Sequence, residues 1–281
     1  MNILLTGFGG FIGKNLKRCL SSKYCVFSPR SFELDLTVLS DIEAYFKERK
    51  IDLIIHCASV GGERGVEDDR PTLKINVSMV ENLIAAKNPE TKIILFGSGA
   101  MYGKSRRLHK VKEMEIGEFI PSDLYGLSKL KISDIVQKRD DILMLNIFGC
   151  YGYDEKETRF PTYAIRQNIK HEPIIINNDV VFDYLFVEDM CKIVEHFIKF
   201  PSYDKIINIT PTDSVSLVDI SREINKISDY QSDIIVQSVK PEGEYSGNNA
   251  LLLSNYPELE FTPINSGLRK LYKYIKSGSL E

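Results

Sequence analysis

The residues of this sequence best suited to chemistry are a tyrosine, a lysine and a serine. Tyr125 and Lys129 are four residues apart in LYGLSKLK, so they share one face of a predicted helix. Ser98 ends the predicted strand KIILFGS, and open parallel sheets bind ligands at the carboxyl ends of their strands. A nearby ammonium favours a phenolate and lets a phenol exchange protons near neutral pH, while a serine hydroxyl can hold the reacting oxygen. The three predict proton transfer to a substrate oxygen.

A glycine-rich stretch at the start of the chain predicts a partner for this chemistry. In NILLTGFGGFIGKNL, Gly7 permits a sharp bend, Gly10 lets backbone amides approach a pyrophosphate, and Gly13 lets the helix pack on the strand. The amino terminus of that helix offers unpaired amides and a partial positive charge to phosphate. Such glycines can also serve a turn alone, but a strand before them and a helix after them favour a dinucleotide site.

The end of the second predicted strand bears on which dinucleotide binds. An acidic residue there would accept the ribose 2′-hydroxyl, and a basic one would pair with a 2′-phosphate. The sequence offers Ser28 and Arg30, with no carboxylate before Glu33, which favours NADP(H) over NAD(H). Arg30 as a solvated loop charge is nearly as good an interpretation. Asp35 and Leu36 are placed to reach the adenine.

The elements that position these residues alternate between strands and helices. Nearly continuous apolar strands with helices between them predict an α/β fold, a Rossmann-type doubly wound parallel sheet. After Gly149 the alternation weakens, which predicts a smaller, interleaved C-terminal substrate domain. We assign 1–150 and about 183–208 to the NADP-binding domain, and about 151–182 and 209–276 to the substrate domain. Residues 277–281 resemble a tag remnant.

Composition excludes several classes of function. The chain has 281 residues and a formal net charge of −3, so it offers no general attraction to nucleic acid. Five cysteines without a C-x-x-C pattern and four scattered histidines predict neither a disulfide framework nor a metal site. The amino terminus lacks signal-peptide features, and no apolar run is long enough for a bilayer. We therefore expect a cytoplasmic protein without a membrane partner.

Together these stretches resemble a known family, the extended short-chain dehydrogenase/reductases that act on nucleotide sugars. The resemblance covers about the first 190 residues and is strongest to the branch of GDP-L-fucose synthases and nucleotide-sugar 4-ketoreductases. It is carried, in order, by TGFGGFIG, HCAS, KINVSMVENLIAA, FGSGAMYG, YGLSK, NIFG and DYLFVEDM.

The resemblance implies roles for individual residues. Ser98, Tyr125 and Lys129 would be the catalytic triad, with Lys129 also holding the nicotinamide ribose. The other implied cofactor contacts are Phe11, Ile12, Ala58 and Asn76. A nucleotide-diphosphate sugar is the implied partner, and a homodimer the implied assembly.

On the substrate side, Arg159 and Arg166 offer guanidinium forks suited to a pyrophosphate, or are exposed helix charges. Asn146 resembles a substrate-loop residue of the family, or is a structural asparagine at a strand end. Tyr102 either lines the sugar pocket or belongs to the core.

Departures from the family pattern narrow the predicted reaction. Dehydratases of the family carry an Asp-Glu pair after the catalytic serine or threonine, where this chain has Gly99 and Ala100. The fucose synthases use a cysteine and a later histidine to epimerise carbons, where this chain has Ala100 and, roughly, Arg159. We therefore expect NADPH-dependent reduction of a 4-keto-6-deoxy sugar without epimerisation. The alternatives are an NAD-dependent C4 epimerase and a catalytically silent NAD(P)-sensing regulatory protein.

Overall fold

The computed structural model of the protein describes residues 1–63, 68, 71–238 and 243–278. Its centre is a parallel sheet in the order β11-β6-β4-β3-β1-β2. The chain starts in the interior of this sheet, moves outward to β2 and then crosses back to β3 on the other side of β1. That crossing creates a switch point at the carboxyl ends of β1 and β3, where doubly wound folds bind ligands. The strands are β1 (Asn2–Thr6), β2 (Cys25–Phe27), β3 (Leu53–His56), β4 (Lys92–Ser98), β6 (Ile142–Ile147) and β11 (Ile206–Asn208).

Helices cover both faces of this sheet. One face packs against α2, α3 and α4 through an apolar cluster that includes Leu4, Ile54 and Leu95. The opposite face packs against α1, α6 and α8 through a cluster that includes Ile3, Leu5 and Ile55. The alternation of neighbouring strand residues between the two clusters is the period of a sheet buried on both sides. The helices are α1 (Phe11–Leu20), α2 (Leu39–Glu48), α3 (Pro71–Ala86), α4 (Leu124–Gln137), α6 (Val187–Lys199) and α8 (Ala250–Asn255).

A second, smaller lobe has its own apolar cluster, formed by Tyr151, Ile165, Leu217, Leu271 and their neighbours. It contains the parallel pairs β7–β10 and β8–β13 and the helices α5, α7 and α9. The elements are β7 (Gly149–Tyr151), β8 (Ile174–Ile176), β10 (Tyr184–Phe186), β13 (Ile234–Val236), α5 (Phe160–Ile169), α7 (Leu217–Ile227) and α9 (Ile264–Lys276).

A sheet in the order β12-β9-β14-β5 lies beside the carboxyl end of β4. Its strands come from distant parts of the chain, and β14 lies between β9 and β5. This arrangement brings residues near the C-terminus against the short 3-10 turn Gly99–Tyr102 that follows β4. The strands are β5 (Leu108–Val111), β9 (Val180–Phe182), β12 (Val215–Ser216) and β14 (Gly243–Gly247).

The predicted fold class is confirmed, because the sheet is parallel, doubly wound and covered on both faces. Ser216 is the N-cap of α7, because its hydroxyl accepts from the Asp219 amide at 3.0 Å. The domain boundaries stay a prediction, and β5, inside our 1–150 range, pairs with β14 rather than with the central sheet. We placed a tag remnant at 277–281, of which 279–281 lie outside the described residues.

Candidate active site

The glycine loop between β1 and α1 has the geometry of a phosphate cradle. Gly7 has a φ of +69°, and a Cβ on it would lie 2.6 Å from the carbonyl carbon of Cys57. A Cβ on Gly13 would lie 2.6 Å from the Cα of Phe8. Both positions therefore require glycine if α1 and the loop after β3 are to approach this closely.

The first turn of α1 is open to an anion. Gly10 is the N-cap and offers no side-chain cap, and the first turn contains no acidic residue. A Cβ on Gly10 would meet nothing nearer than the Gly7 carbonyl at 3.5 Å. Phe11 and Ile12 supply the next amides of this turn, and Ala58 lines its far side next to Gly7. These residues fit a dinucleotide pyrophosphate.

Of the three residues after β2 that we predict to contact the cofactor, two are exposed and one is buried. Arg30 is exposed, and its backbone amide donates to Glu33 Oε2 at 2.7 Å. The Asp35 carboxylate accepts from the Thr37 amide and hydroxyl at 2.8 and 2.7 Å, which lowers the pKa of Asp35. Leu36 is only 8% exposed and packs in the core, and its predicted contact with adenine stays a prediction.

Replacing Arg30 with alanine is expected to weaken NADPH binding about tenfold and to leave NADH binding unchanged, because only NADPH carries the 2′-phosphate that a guanidinium pairs with. Fluorescence titration of both cofactors measures this, with Lys47→Ala on exposed α2 as the matched loss of a surface cation. Equal losses for the two cofactors would contradict a 2′-phosphate contact.

Asn76 of α3 serves the structure around the site. Its Oδ1 accepts from the Val60 amide, and its Nδ2 donates to the Val60 carbonyl, each at 2.9 Å. The same Nδ2 donates to Ser128 Oγ at 3.1 Å, and Asn76 is 2% exposed. The side chain therefore ties the loop after β3 to α4, and its predicted cofactor contact stays a prediction.

The three predicted catalytic residues come from β4 and α4. Ser98 ends β4, and a Cβ on Gly126 would lie 2.8 Å from the Ala100 carbonyl, so the start of α4 packs directly on the turn after Ser98. The Lys129 ammonium donates to the Phe96 carbonyl at 3.0 Å and lies 5.4 Å from the centroid of the Tyr125 ring. Backbone contacts of β4 and α4 therefore hold the serine, phenol and ammonium at one end of the sheet.

Two carboxylates fix the first turn of α4. Asp123, its N-cap, accepts from the Gly126 amide at 2.7 Å, and Asp68 accepts from the Tyr125 amide at 3.1 Å. Asp68 also accepts from the Gly62 amide at 2.7 Å. Gly62, with φ +74°, lies on the Tyr125 ring so closely that a Cβ there would be 2.9 Å from the ring atoms. Sequence reasoning missed Asp68, because no local pattern connects it with α4.

Two titratable side chains near the Lys129 ammonium, those of His56 and Cys57, are uncharged at pH 7. Burial and the positive charge of Lys129 lower the pKa of His56 to about 3, and the His56 ring Nδ1 shares a hydrogen bond of 2.8 Å with Thr6 Oγ1. Burial also raises the pKa of the Cys57 thiol well above its usual range, although the Lys129 charge opposes the rise. The Lys129 charge is therefore not neutralised by these two neighbours.

Tyr102 and Asn146 belong to a buried polar network. Both are 0% exposed. The Tyr102 hydroxyl and the Asn146 amide both donate to Asn208 Oδ1, at 2.8 and 3.1 Å. Both side chains therefore have a role in the core, and their contacts with substrate stay a prediction.

The two predicted substrate arginines lie at the start and on the body of α5. Arg159 is the exposed N-cap residue. Arg166, seven residues on, pairs through Nη2 with Glu157 at 2.8 Å, while its buried Nε has no hydrogen-bond partner among the described residues. Their role in binding a pyrophosphate stays a prediction.

Within the described ranges of the chain, no helix has both the length and the apolar character needed to cross a membrane. Within the same ranges, no group of three or more histidine, cysteine or acidic side chains could hold a metal ion.

Comparison with known proteins gives a consistent family. The model of the family described as "NAD dependent epimerase/dehydratase family" matches residues 3–210, more than half of the chain. The chain is 26% identical to GDP-L-colitose synthase from Yersinia pseudotuberculosis over 300 residues, covering 98% of this chain and 97% of that protein.

Solved structures share the fold. The dTDP-4-dehydrorhamnose reductase of Bacillus anthracis str. Ames in complex with NADP is similar, with a TM-score of 0.84, 20% identity and 97% of each chain covered. The UDP-glucuronic acid 4-epimerase of Bacillus cereus in complex with UDP-glucuronic acid and NAD is similar with a TM-score of 0.81, 20% identity and 99% of each chain covered. One fold thus carries both reductases and epimerases, and the chemistry must be argued from the site.

Proposed function

The chain belongs to the NAD dependent epimerase/dehydratase family, and from that membership we propose that it reduces a nucleotide-linked 4-keto-6-deoxy sugar with NADPH and does not epimerise C3 or C5. The family and its relatives show that the chain is an NAD(P)-dependent enzyme acting on nucleotide sugars. The observation that supports the specific reaction proposed is the arrangement of Ser98, Tyr125 and Lys129 next to a turn without a carboxylate, thiol or imidazole.

The chain's own residues would perform the proton half of the reduction. The glycine loop at Gly7, Gly10 and Gly13 would hold NADPH, whose chemistry there would be hydride donation to the keto carbon. The Tyr125 phenol gives its proton to the keto oxygen, and Lys129, buried at 5% exposure, favours the phenolate that remains. The Ser98 hydroxyl donates to the same oxygen and holds it near the phenol. The products are an alcohol and the oxidised cofactor, and a solvent proton restores the phenol.

The turn after Ser98 supports reduction without epimerisation. Epimerisation at a carbon beside the ketone needs one group to remove a proton and another to return it on the opposite face. The turn Gly99–Tyr102 contains no carboxylate, thiol or imidazole, and Ala100 is 0% exposed. Arg159 is a cation that stays protonated and cannot serve as the second base.

A panel of substrates tests the proposal. GDP-, dTDP-, CDP- and UDP-linked 4-keto-6-deoxy sugars are each mixed with NADPH, and the cofactor absorbance is followed to stoichiometric loss. We expect one nucleotide to be strongly favoured. No loss with any of the four would refute the proposed reduction, and turnover of a 4-hydroxy sugar without net absorbance change would favour the C4 epimerase instead.

In deuterated water we expect no deuterium at C3 or C5 of the product above the level of an enzyme-free sample. The physical reason is that the turn after Ser98 has no base to exchange those protons. Proton NMR of the purified product measures the incorporation. Enzyme-dependent exchange at either carbon would show that a base outside this turn acts on the sugar.

A further inference from the structure

A second phenol lies at the proposed catalytic serine. Tyr245 comes from β14, and its ring packs against those of Phe148 and Phe182, with centroid distances of 5.4 and 5.9 Å. Its hydroxyl oxygen lies against Gly99, the residue after Ser98, and is close enough to Ser98 for the serine hydroxyl to affect the pKa of Tyr245. Nothing in the local sequence around Tyr245 indicates this, because the two residues are far apart in the chain.

The glycine after Ser98 makes room for this phenol. A Cβ on Gly99 would lie 2.7 Å from the Tyr245 hydroxyl oxygen and 2.5 Å from a ring carbon of Phe148. Any other residue at position 99 would push the phenol and the Phe148 ring away from Ser98. Having glycine here, where dehydratases of the family carry a carboxylate, therefore also makes room for the Tyr245 hydroxyl of β14.

The hydrogen-bonding capacity of the Ser98 hydroxyl indicates a role for the Tyr245 phenol. A serine hydroxyl has one proton to donate and two lone pairs. The Ala100 amide already donates to Ser98 Oγ at 3.2 Å, which occupies one lone pair. Burial raises the pKa of Tyr245 far above its ordinary value, so the phenol keeps its proton and stays a donor at neutral pH.

We propose that Tyr245 is a positioning residue that donates to the second lone pair of Ser98, so that Ser98 has only its proton left to offer and directs it at the substrate oxygen. This inference rests on the proposed reduction. Without Tyr245, the Ser98 hydroxyl could rotate and donate elsewhere, and the keto oxygen would lose a fixed partner in the transition state.

Tyr245→Phe tests this, because it removes the hydroxyl and keeps the packed ring. We expect kcat to fall about tenfold, the value of one directed hydrogen bond, while the KM for NADPH stays unchanged. In a Ser98→Ala background the same change should cost nothing further, since Tyr245 acts through Ser98. Tyr230→Phe, which removes an exposed phenol bonded to the His171 carbonyl, is the control and should leave kcat unchanged.

Two results would overturn the inference. A full tenfold loss that persists in the Ser98→Ala background would mean that Tyr245 acts independently of the serine. A raised KM for the sugar with unchanged kcat would make it a substrate contact instead.

A second cycle needs no substrate. Thermal unfolding of Ser98→Ala, Tyr245→Phe and the double variant should show a combined loss smaller than the sum of the single losses, as expected for bonded partners. Additive losses would overturn the inference. If the wild type reduces none of the four sugars, the proposed reduction fails by itself, and this unfolding cycle still decides whether the hydroxyls are coupled.

Discussion

Replacing Tyr125 with phenylalanine is expected to lower kcat for ketone reduction about a thousandfold, within the range that general acids contribute. The ring and its contact with Gly62 remain, so the variant should fold normally. The glycine loop and Lys129 also remain, so NADPH should bind with unchanged affinity. The loss therefore isolates the phenolic proton.

Single-turnover loss of NADPH absorbance measures this effect without interference from product release. Tyr203→Phe removes a fully exposed phenol and is the matched control. A Tyr125→Phe variant that retains the wild-type rate would refute the catalytic assignment. If its biological output were also unchanged, the catalytically silent regulatory protein would become the better interpretation.

The second large effect that we expect is a pH dependence of the stability of the folded protein, caused by the buried carboxyl of Glu155. This residue is 6% exposed, and its Oε2 accepts from the Thr162 hydroxyl at 3.0 Å. Burial raises the pKa of Glu155 to about 8, against the opposing effects of the Thr162 bond and the Arg159 charge. The folded protein therefore holds a proton that the unfolded chain releases near its ordinary pKa of 4.5.

The sign of the pH dependence follows from this difference. Between about pH 4.5 and 8 the folded state binds the extra proton, so stability falls as pH rises, by up to about 1.4 kcal/mol per pH unit. Glu155→Gln keeps the shape and removes the titration. We expect the variant to match the wild type near pH 5 and to have a Tm about 5 °C higher or more at pH 8.5.

Calorimetry from pH 5 to 9 checks this, with Glu43→Gln on the exposed face of α2 as the control. Asp183, whose pKa burial raises to about 7, leaves some pH dependence in both proteins. Parallel Tm curves for the wild type and Glu155→Gln would show that the Glu155 carboxyl is ionised in the folded protein.

The features that could be predicted from the sequence are those that a local pattern of residues encodes. The β1-loop-α1 geometry follows from glycine spacing, and the shared face of Tyr125 and Lys129 follows from the helical period. Burial was harder to predict. Tyr102 and Asn146 are polar enough for a binding site, yet both are buried and donate to Asn208, which lies 106 and 62 residues away in the chain.

Pairing between strands that are distant in the chain also could not be predicted from the sequence. The position of β14 between β5 and β9 depends on partners more than 60 residues away in the chain. Tyr245 reaches the candidate site only through such pairings, and Asp68 reaches it by accepting from the amides of Gly62 and Tyr125. Neither residue has a neighbouring residue that signals this. The residues supplied by one loop or one helix were therefore predictable, whereas those supplied across the fold were not.

The placement of β14 also has a consequence for biosynthesis. All strands of the central sheet have been synthesised once β11 leaves the ribosome. The sheet can therefore begin to fold while the rest of the chain is still being translated. The neighbour of Ser98 on β14 arrives later, since it lies beyond residue 242. A nascent chain could thus bind a nucleotide before it can hold its serine in place, which would delay turnover until translation is nearly finished.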